Sequence, residues 1–109
     1  MNTDPDLEIS PEEVEALRKQ GAVTLLDVRT PQEFSIARIE GSRLVDEALA
    51  KEIVETWPKD TPMVAICHHG VRSLDATVYL RRQGFTQVRS MRGGTDLWSQ
   101  VVDPNVPRY

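Results

Sequence analysis

The stretch PMVAICHHGVRSLDATVYLRRQGF, residues 62–85, joins a short apolar run to an amphipathic segment through a polar loop. The run at 62–66 has the length and composition of a buried strand, and residues 73–83 carry apolar side chains at helical spacing before Gly84. The loop between them, CHHGVRS at 67–73, contains the single cysteine of the chain. This order of strand, loop and helix predicts one unit of an α/β fold.

The remainder of the chain continues the alternation of helices and strands. Two segments begin with strong helix-start signals: Ser10 before Pro11, with Glu13 three residues after Ser10, and Thr30 before Pro31, with Glu33 three residues after Thr30. The pattern predicts helices at 10–20, 30–37, 46–58, 73–83 and 95–100, and strands at 22–28, within 39–45, at 62–66 and at 86–91.

Strands that alternate with helices predict a single α/β domain with a mostly parallel central sheet and helices on both faces. We expect one domain over 1–109, with its core at about 7–100 and an extended tail at 101–109. Ligands of such folds bind at the carboxyl ends of the strands. Cys67 directly follows a predicted core strand, and its position is therefore the first place to look for a site.

Composition narrows the classes of function. The 109 residues suit one domain, and 13 Lys and Arg against 17 Asp and Glu give a formal net charge of −4. This charge disfavours nucleic acid and anionic membranes as partners. The sequence has neither an apolar run of the roughly 20 residues that span a bilayer nor a signal-peptide pattern, so we expect a cytoplasmic protein whose lone cysteine stays a thiol.

The cysteine loop has the features of an anion cradle built around sulfur. The backbone N–H groups of residues 68–73 can converge on Cys67, Gly70 permits the tight curve, and the helix expected near Ser73 directs its positive end to the same place. These features favour a thiolate, which makes Cys67 a candidate nucleophile. Arg72 supplies a forked cationic donor suited to a bound oxyanion. The candidate catalytic residue is Cys67, and the candidate substrate-binding residues are His68, His69, Gly70, Val71, Arg72 and Ser73.

The CHHGVRS loop resembles the active-site loop of the rhodanese, or thiosulfate sulfurtransferase, family. Three further segments agree with this resemblance: LLDVRTPQEF at 25–34, IEGS at 39–42 and GFTQVRSMRGGTDLW at 84–98. The histidine of the family's G-H-I-x-G-A segment is replaced here by Arg38. The resemblance extends over about residues 7–100.

The resemblance implies a single-domain rhodanese fold and a sulfur-transfer mechanism that needs no cofactor. Cys67 would attack the outer sulfur of thiosulfate or another sulfane donor and become a persulfide. A thiophilic acceptor such as cyanide or a protein thiol would then take the sulfur. The resemblance is compatible with a monomer.

Alternative functions remain open on the sequence alone. A cysteine phosphatase or arsenate reductase would also place Cys first and Arg last, but phosphatase loops have five residues between them and this loop has four. A rhodanese-like binding module, or a sulfur relay to one dedicated protein partner, is a second alternative.

Some roles within the site are also left open. Metal binding by Cys67, His68 and His69 is disfavoured because adjacent residues do not readily converge on one ion. The two histidines are either rim residues that contact substrate or solvated loop residues. Arg29 and Glu33 would either pair beneath the loop or serve as a surface ion pair and a helix cap.

Overall fold

The computed structural model describes residues 7–109, which form a five-stranded sheet with helices on both faces. All strand pairs are parallel, and the strand order is β1-β5-β4-β2-β3. The strands are β1 Glu8–Ile9, β2 Thr24–Asp27, β3 Arg43–Leu44, β4 Met63–Ile66 and β5 Val88–Met91. The helices are α1 Pro11–Lys19, α2 Pro31–Ile36, α3 Glu47–Thr56, α4 Val71–Arg82 and α5 Gly94–Val101. The predicted fold class is confirmed.

The helix-start signals read from the sequence are present at the observed helix ends. Ser10 caps α1 by accepting a hydrogen bond from the N–H of Glu13, and Thr30 and Glu33 form a complete capping box at α2. Asp46 accepts from the N–H of Leu49 and caps α3. Short polar side chains just before each helix therefore set where these three helices begin.

Two apolar layers hold the helices against the sheet. One layer packs Val14 of α1 and Trp98 of α5 against strand residues such as Val64 and Ile66. The opposite layer packs α3 and α4 against strand residues that include Leu26 and Met63. Alternate residues of β4 thus face opposite layers, as the two-residue period of a strand requires. All four residues of β4 are buried, which is the pattern of a central parallel strand.

The structure differs from the sequence prediction at three places. The two-residue strand β1, which pairs with β5, was not predicted, because so short a segment shows no periodicity. Helix α4 begins at Val71 rather than at Ser73, because Gly70 adopts a left-handed conformation (φ 96°) and serves as the N-cap. The tail after α5 folds back through turns and buries Val106, instead of being extended throughout.

Within residues 7–109, no helix is long and apolar enough to cross a membrane.

Candidate active site

Cys67 lies at the carboxyl end of β4, the central strand of the sheet. The chain moves outward from β2 to β3 on one side, and from β4 to β5 on the other. The loops after β2 and β4 therefore diverge and leave a crevice between them, which is where ligands bind in open parallel sheets. Cys67 is only 1% exposed, so its sulfur is enclosed by the protein rather than lying on an open surface.

The sulfur of Cys67 occupies the centre of the loop that follows it. The backbone N–H of Gly70 donates to Sγ at 3.1 Å, and the backbone N–H of Ser73 donates at 3.3 Å. Ser73 is the third residue of α4, where a helix N–H normally donates to the side chain of the N-cap residue. Gly70 has no side chain, and Sγ of Cys67 takes the place of the capping oxygen.

A short hydroxyl chain continues from the sulfur into the protein. Oγ of Ser73 lies 3.3 Å from Sγ, and Oγ of Ser90 lies 2.7 Å from Oγ of Ser73. When sulfur carries a negative charge it can only accept, so Ser73 donates to Sγ and Ser90 donates to Ser73. Both serines are fully buried. A sulfur anion at this position therefore has three donors, two from backbone and one from Ser73.

The N-terminus of α5 fixes the other side of the loop. The N–H of Thr95 donates to the carbonyl of Cys67 at 2.8 Å, and the N–H of Asp96 donates to the carbonyl of His68 at 3.1 Å. Gly94 permits this approach, because a Cβ on it would lie 2.3 Å from the His68 carbonyl oxygen and 2.4 Å from that of Cys67. Gly94 therefore allows α5 to anchor the sulfur loop.

Arg72 forms a bidentate ion pair with Glu33 of α2. Nη1 lies 2.7 Å from Oε1 and Nη2 lies 3.0 Å from Oε2. The paired guanidinium holds the pKa of Glu33 far below its usual value, and the hydrogen bonds to Glu33 raise the pKa of Arg72. Cys67 is close enough for its charge to add to that rise. Arg72 therefore places a permanent positive charge beside the sulfur loop.

Of the roles left open for Arg29 and Glu33, the side-chain pair is not observed, whereas Glu33 does act as a helix cap. The guanidinium of Arg29 is buried against Asp27, with Nε 2.9 Å from Oδ1 and Nη2 2.7 Å from Oδ2. Nη2 also donates to the carbonyl of Ala37, and Nη1 donates to the backbone carbonyl of Glu33 at 3.4 Å. Asp27 and Arg29 thus tie the end of β2 to α2, which carries Glu33 toward Arg72.

Tyr109 reaches back from the tail to the rim of the loop. Its ring stacks on His68 with centroids 4.1 Å apart and planes inclined by 12°. Its hydroxyl accepts from Nη1 of Arg29 at 2.7 Å and donates to Oε2 of Glu33 at 2.8 Å. Burial lowers the pKa of His68, and its Nε2 is buried without a hydrogen-bond partner among the described residues. His68 is therefore part of the packed rim, whereas the side chain of His69 is 65% exposed.

His68, His69 and Asp96 bring three potential metal-ligand atoms within 4.8 Å of one another. The two imidazoles are stacked, with centroids 4.0 Å apart and an interplanar angle of 27°. An ion about 2 Å from each nitrogen would have to lie near both ring planes at once, which stacked rings do not allow. Asp96 is also paired with Arg108 at 2.9 Å. The cluster as arranged packs the rim and does not form a metal site.

Of the candidate substrate-binding residues, the structure brings Gly70 and Ser73 into direct contact with the sulfur of Cys67. Arg72 is paired with Glu33, and His68 packs at the rim. Val71 is 70% exposed and contributes the first residue of α4 rather than a side-chain contact.

Sequence reasoning missed several site residues, namely Ser90, Gly94, Thr95, Asp27 and Tyr109. Asp27, Ser90, Gly94 and Thr95 lie inside segments that the resemblance covered, so a signal for them existed. Tyr109 lies beyond those segments and carried no local signal.

Comparison with known proteins finds relatives over most of the chain. Residues 10–101 match the model of the family described as rhodanese-like domain. The chain is 40% identical over 93 residues to the thiosulfate sulfurtransferase GlpE of Pseudomonas aeruginosa, covering 85% of this chain and 84% of that protein. It is 43% identical over 90 residues to the GlpE of Pseudomonas fluorescens, covering 83% of this chain and 82% of that protein.

Solved structures agree at the level of the fold. A rhodanese-related protein from Thermoplasma volcanium has a TM-score of 0.69 and 28% identity, with 92% of this chain and 94% of that one covered. The human single-domain sulfurtransferase TSTD1 has a TM-score of 0.77 and 22% identity, with 87% of this chain and 96% of that one covered. The sulfur-centred loop and these matches over most of its length show that the chain belongs to the rhodanese-like domain family.

Proposed function

We propose that this protein is a thiosulfate sulfurtransferase in which Cys67 carries the transferred sulfur as a persulfide. Relatives about 40% identical over most of the chain bear the name thiosulfate sulfurtransferase. The observation that carries the proposal is the set of three donors around one buried sulfur, from the N–H of Gly70, the N–H of Ser73 and the hydroxyl of Ser73.

In the first half-reaction, the Cys67 thiolate attacks the outer sulfur of thiosulfate. The S–S bond of thiosulfate breaks, its electron pair leaves with sulfite, and a new S–S bond joins the transferred sulfur to Sγ. The total charge of −3 is the same before and after the step, so no general acid is required. Arg72 reduces the electrostatic repulsion between the thiolate and the doubly charged donor, because its guanidinium lies beside the loop.

In the second half-reaction, a thiophilic acceptor removes the outer sulfur. Cyanide attacks the terminal sulfur of the persulfide, the S–S bond breaks, and thiocyanate leaves while Sγ returns to the thiolate. A protein thiol acts in the same way and becomes a persulfide itself. The backbone donors from Gly70 and Ser73 stabilise the negative charge that returns to Sγ as the S–S bond breaks, because they already point at this atom.

Loop size supports sulfur rather than phosphate chemistry. Four residues separate Cys67 from Arg72, whereas the cysteine phosphatases have five. In this structure the loop N–H groups of Gly70 and Ser73 already converge on Sγ. Because Sγ of Cys67 already occupies the centre of the loop, the loop suits one further sulfur atom better than a tetrahedral phosphate.

We further propose that the protein acts as a cytoplasmic monomer on small anionic donors. A reducing compartment supports regeneration of the Cys67 thiol, because the chain holds no second cysteine that could reduce an oxidised Cys67. The large apolar side chains that are exposed among the described residues are spread over three helices and the tail, which favours a monomer. These residues are Ile36, Val71, Tyr79, Val101 and Tyr109.

The decisive experiment is the intact mass of the reduced protein before thiosulfate, after thiosulfate and after subsequent cyanide. We expect a gain of one sulfur that cyanide removes, with release of sulfite and then thiocyanate. The Cys67→Ser variant should gain no sulfur, although serine preserves the size and hydrogen bonding of the position. Sulfur transfer that persists in Cys67→Ser would overturn the proposal.

A further inference from the structure

Glu33 and an anionic donor would compete for the same group. Both terminal nitrogens of Arg72 are taken up by the two oxygens of Glu33, at 2.7 and 3.0 Å. This two-bond geometry is the one that Arg would use for the oxygens of a thiosulfate-like anion. A donor that binds Arg72 must therefore displace the Glu33 carboxylate or share the guanidinium with it. The negative charge of this carboxylate repels the donor.

The phenol of Tyr109 holds this carboxylate in place. Arg29 can only donate and the carboxylate of Glu33 can only accept, so the Tyr109 hydroxyl must accept from Arg29 and donate to Glu33. Arg29 is itself 4% exposed and locked against Asp27. The phenol proton is thus directed at Oε2 of Glu33, the oxygen that faces Nη2 of Arg72.

The tail keeps the Tyr109 ring where these bonds can form. The hydroxyl of Ser99 in α5 donates to the carbonyl of Val106 at 2.7 Å, and Val106 is 8% exposed. Arg108 pairs with Asp96 at 2.9 Å, and the Tyr109 ring stacks on His68. The residues just before Tyr109 are therefore anchored to α5, and Tyr109 itself is held at its ring face and at its hydroxyl.

We propose that Tyr109 is a positioning residue for donor selectivity, which fixes Glu33 on Arg72 and thereby weakens binding of doubly charged sulfur donors relative to singly charged ones. The inference rests on the proposed function, in which Arg72 receives the anionic donor. Thiosulfate, with two negative charges, meets more repulsion from Glu33 than an aromatic thiosulfonate with one. Both donors lead to the same Cys67 persulfide, with sulfite leaving in the first case and a sulfinate in the second.

The test compares kcat and KM for thiosulfate and benzenethiosulfonate, with cyanide as acceptor. Tyr109→Phe keeps the ring on His68 and removes both hydroxyl contacts, whereas Glu33→Gln removes the competing charge. We expect the KM for thiosulfate to fall about threefold in Tyr109→Phe and about tenfold in Glu33→Gln. The KM for benzenethiosulfonate should fall by a smaller factor, and the change should appear in KM rather than in kcat.

Matched controls separate this role from a structural one. Tyr79→Phe alters an exposed tyrosine on α4, and Glu55→Gln changes the net charge by the same amount on α3; neither should shift KM for either donor. A merely structural Tyr109 would lower the thermal unfolding midpoint and leave the ratio of the two KM values unchanged. That result, or a thiosulfate KM equal to that of the controls, would overturn the inference.

The mass measurement distinguishes the two failures. If the wild-type protein gains sulfur on Cys67 but Tyr109→Phe and Glu33→Gln leave donor selectivity unchanged, the inference fails and the proposed function stands. If the wild-type protein gains no sulfur from either donor, both fall.

Discussion

Replacement of Gly94 by alanine tests whether α5 holds the sulfur loop. A Cβ at residue 94 would lie 2.3 Å from the carbonyl oxygen of His68 and 2.4 Å from that of Cys67. These are backbone atoms that cannot rotate away. Ordinary contact begins at 3.4 Å, so loop and helix must separate by about 1 Å.

The cost can be worked out from two contributions. The left-handed conformation (φ 61°) costs an alanine about 1–2 kcal/mol. Separation also weakens the bonds from Thr95 and Asp96 to the two carbonyls, at about 0.5–1.5 kcal/mol each. We therefore expect Gly94→Ala to lower the free energy of unfolding by about 2–5 kcal/mol and to reduce sulfur transfer at temperatures where the variant is still folded.

Gly21 offers a matched control for the backbone contribution. It has almost the same φ, 65°, and an added Cβ would meet nothing within 4 Å. Gly21→Ala should therefore lose only the conformational contribution, about 1–2 kcal/mol, and keep full activity. Urea unfolding and the thiosulfate to cyanide assay measure both effects. Equal stability losses in the two variants, with equal activity, would refute the role assigned to Gly94.

Two further predictions follow from buried groups. Asp27→Asn leaves the Arg29 guanidinium buried without its counter-ion and should lower the free energy of unfolding in urea by about 3–5 kcal/mol. The double variant Asp27→Asn/Arg29→Gln should lose less than the single variant. A loss below about 1 kcal/mol in the single variant would contradict this. Burial lowers the pKa of His68, so the unfolded chain binds more protons near pH 6 and stability should fall as the pH drops through about 6.5. His68→Gln should lose that dependence, and an unchanged stability profile against pH would contradict the assignment.

Much of the fold was accessible from local sequence signals. Ser10, Thr30 and Asp46 begin helices because their side chains accept hydrogen bonds from N–H groups only three residues away. The run at 62–66 is apolar throughout because β4 is covered on both faces. Such interactions are local or depend on burial alone, so they can be recognised from the pattern of residues in the sequence.

Site features that link distant segments were not accessible in the same way. Glu33 and Arg72 are 39 residues apart, and Tyr109 lies 76 residues from Glu33, so no periodicity or spacing reports their contact. The sequence analysis left a pair between Arg29 and Glu33, which are close in sequence, as one of the open alternatives. Arg29 pairs with Asp27 instead, because both residues lie at the end of β2, where burial favours a bidentate ion pair.

By itself, the sequence determined that this protein has alternating strands and helices, a cysteine at the end of a core strand and a glycine-containing loop around it. Tertiary structure alone decided that α5 anchors this loop and that Ser90 extends the hydrogen-bond chain from the sulfur. It also decided that Glu33 accepts hydrogen bonds from both Arg72 and Tyr109. The physical reason is that parallel strands bring their carboxyl ends to one edge of the sheet, so segments far apart in the chain meet there.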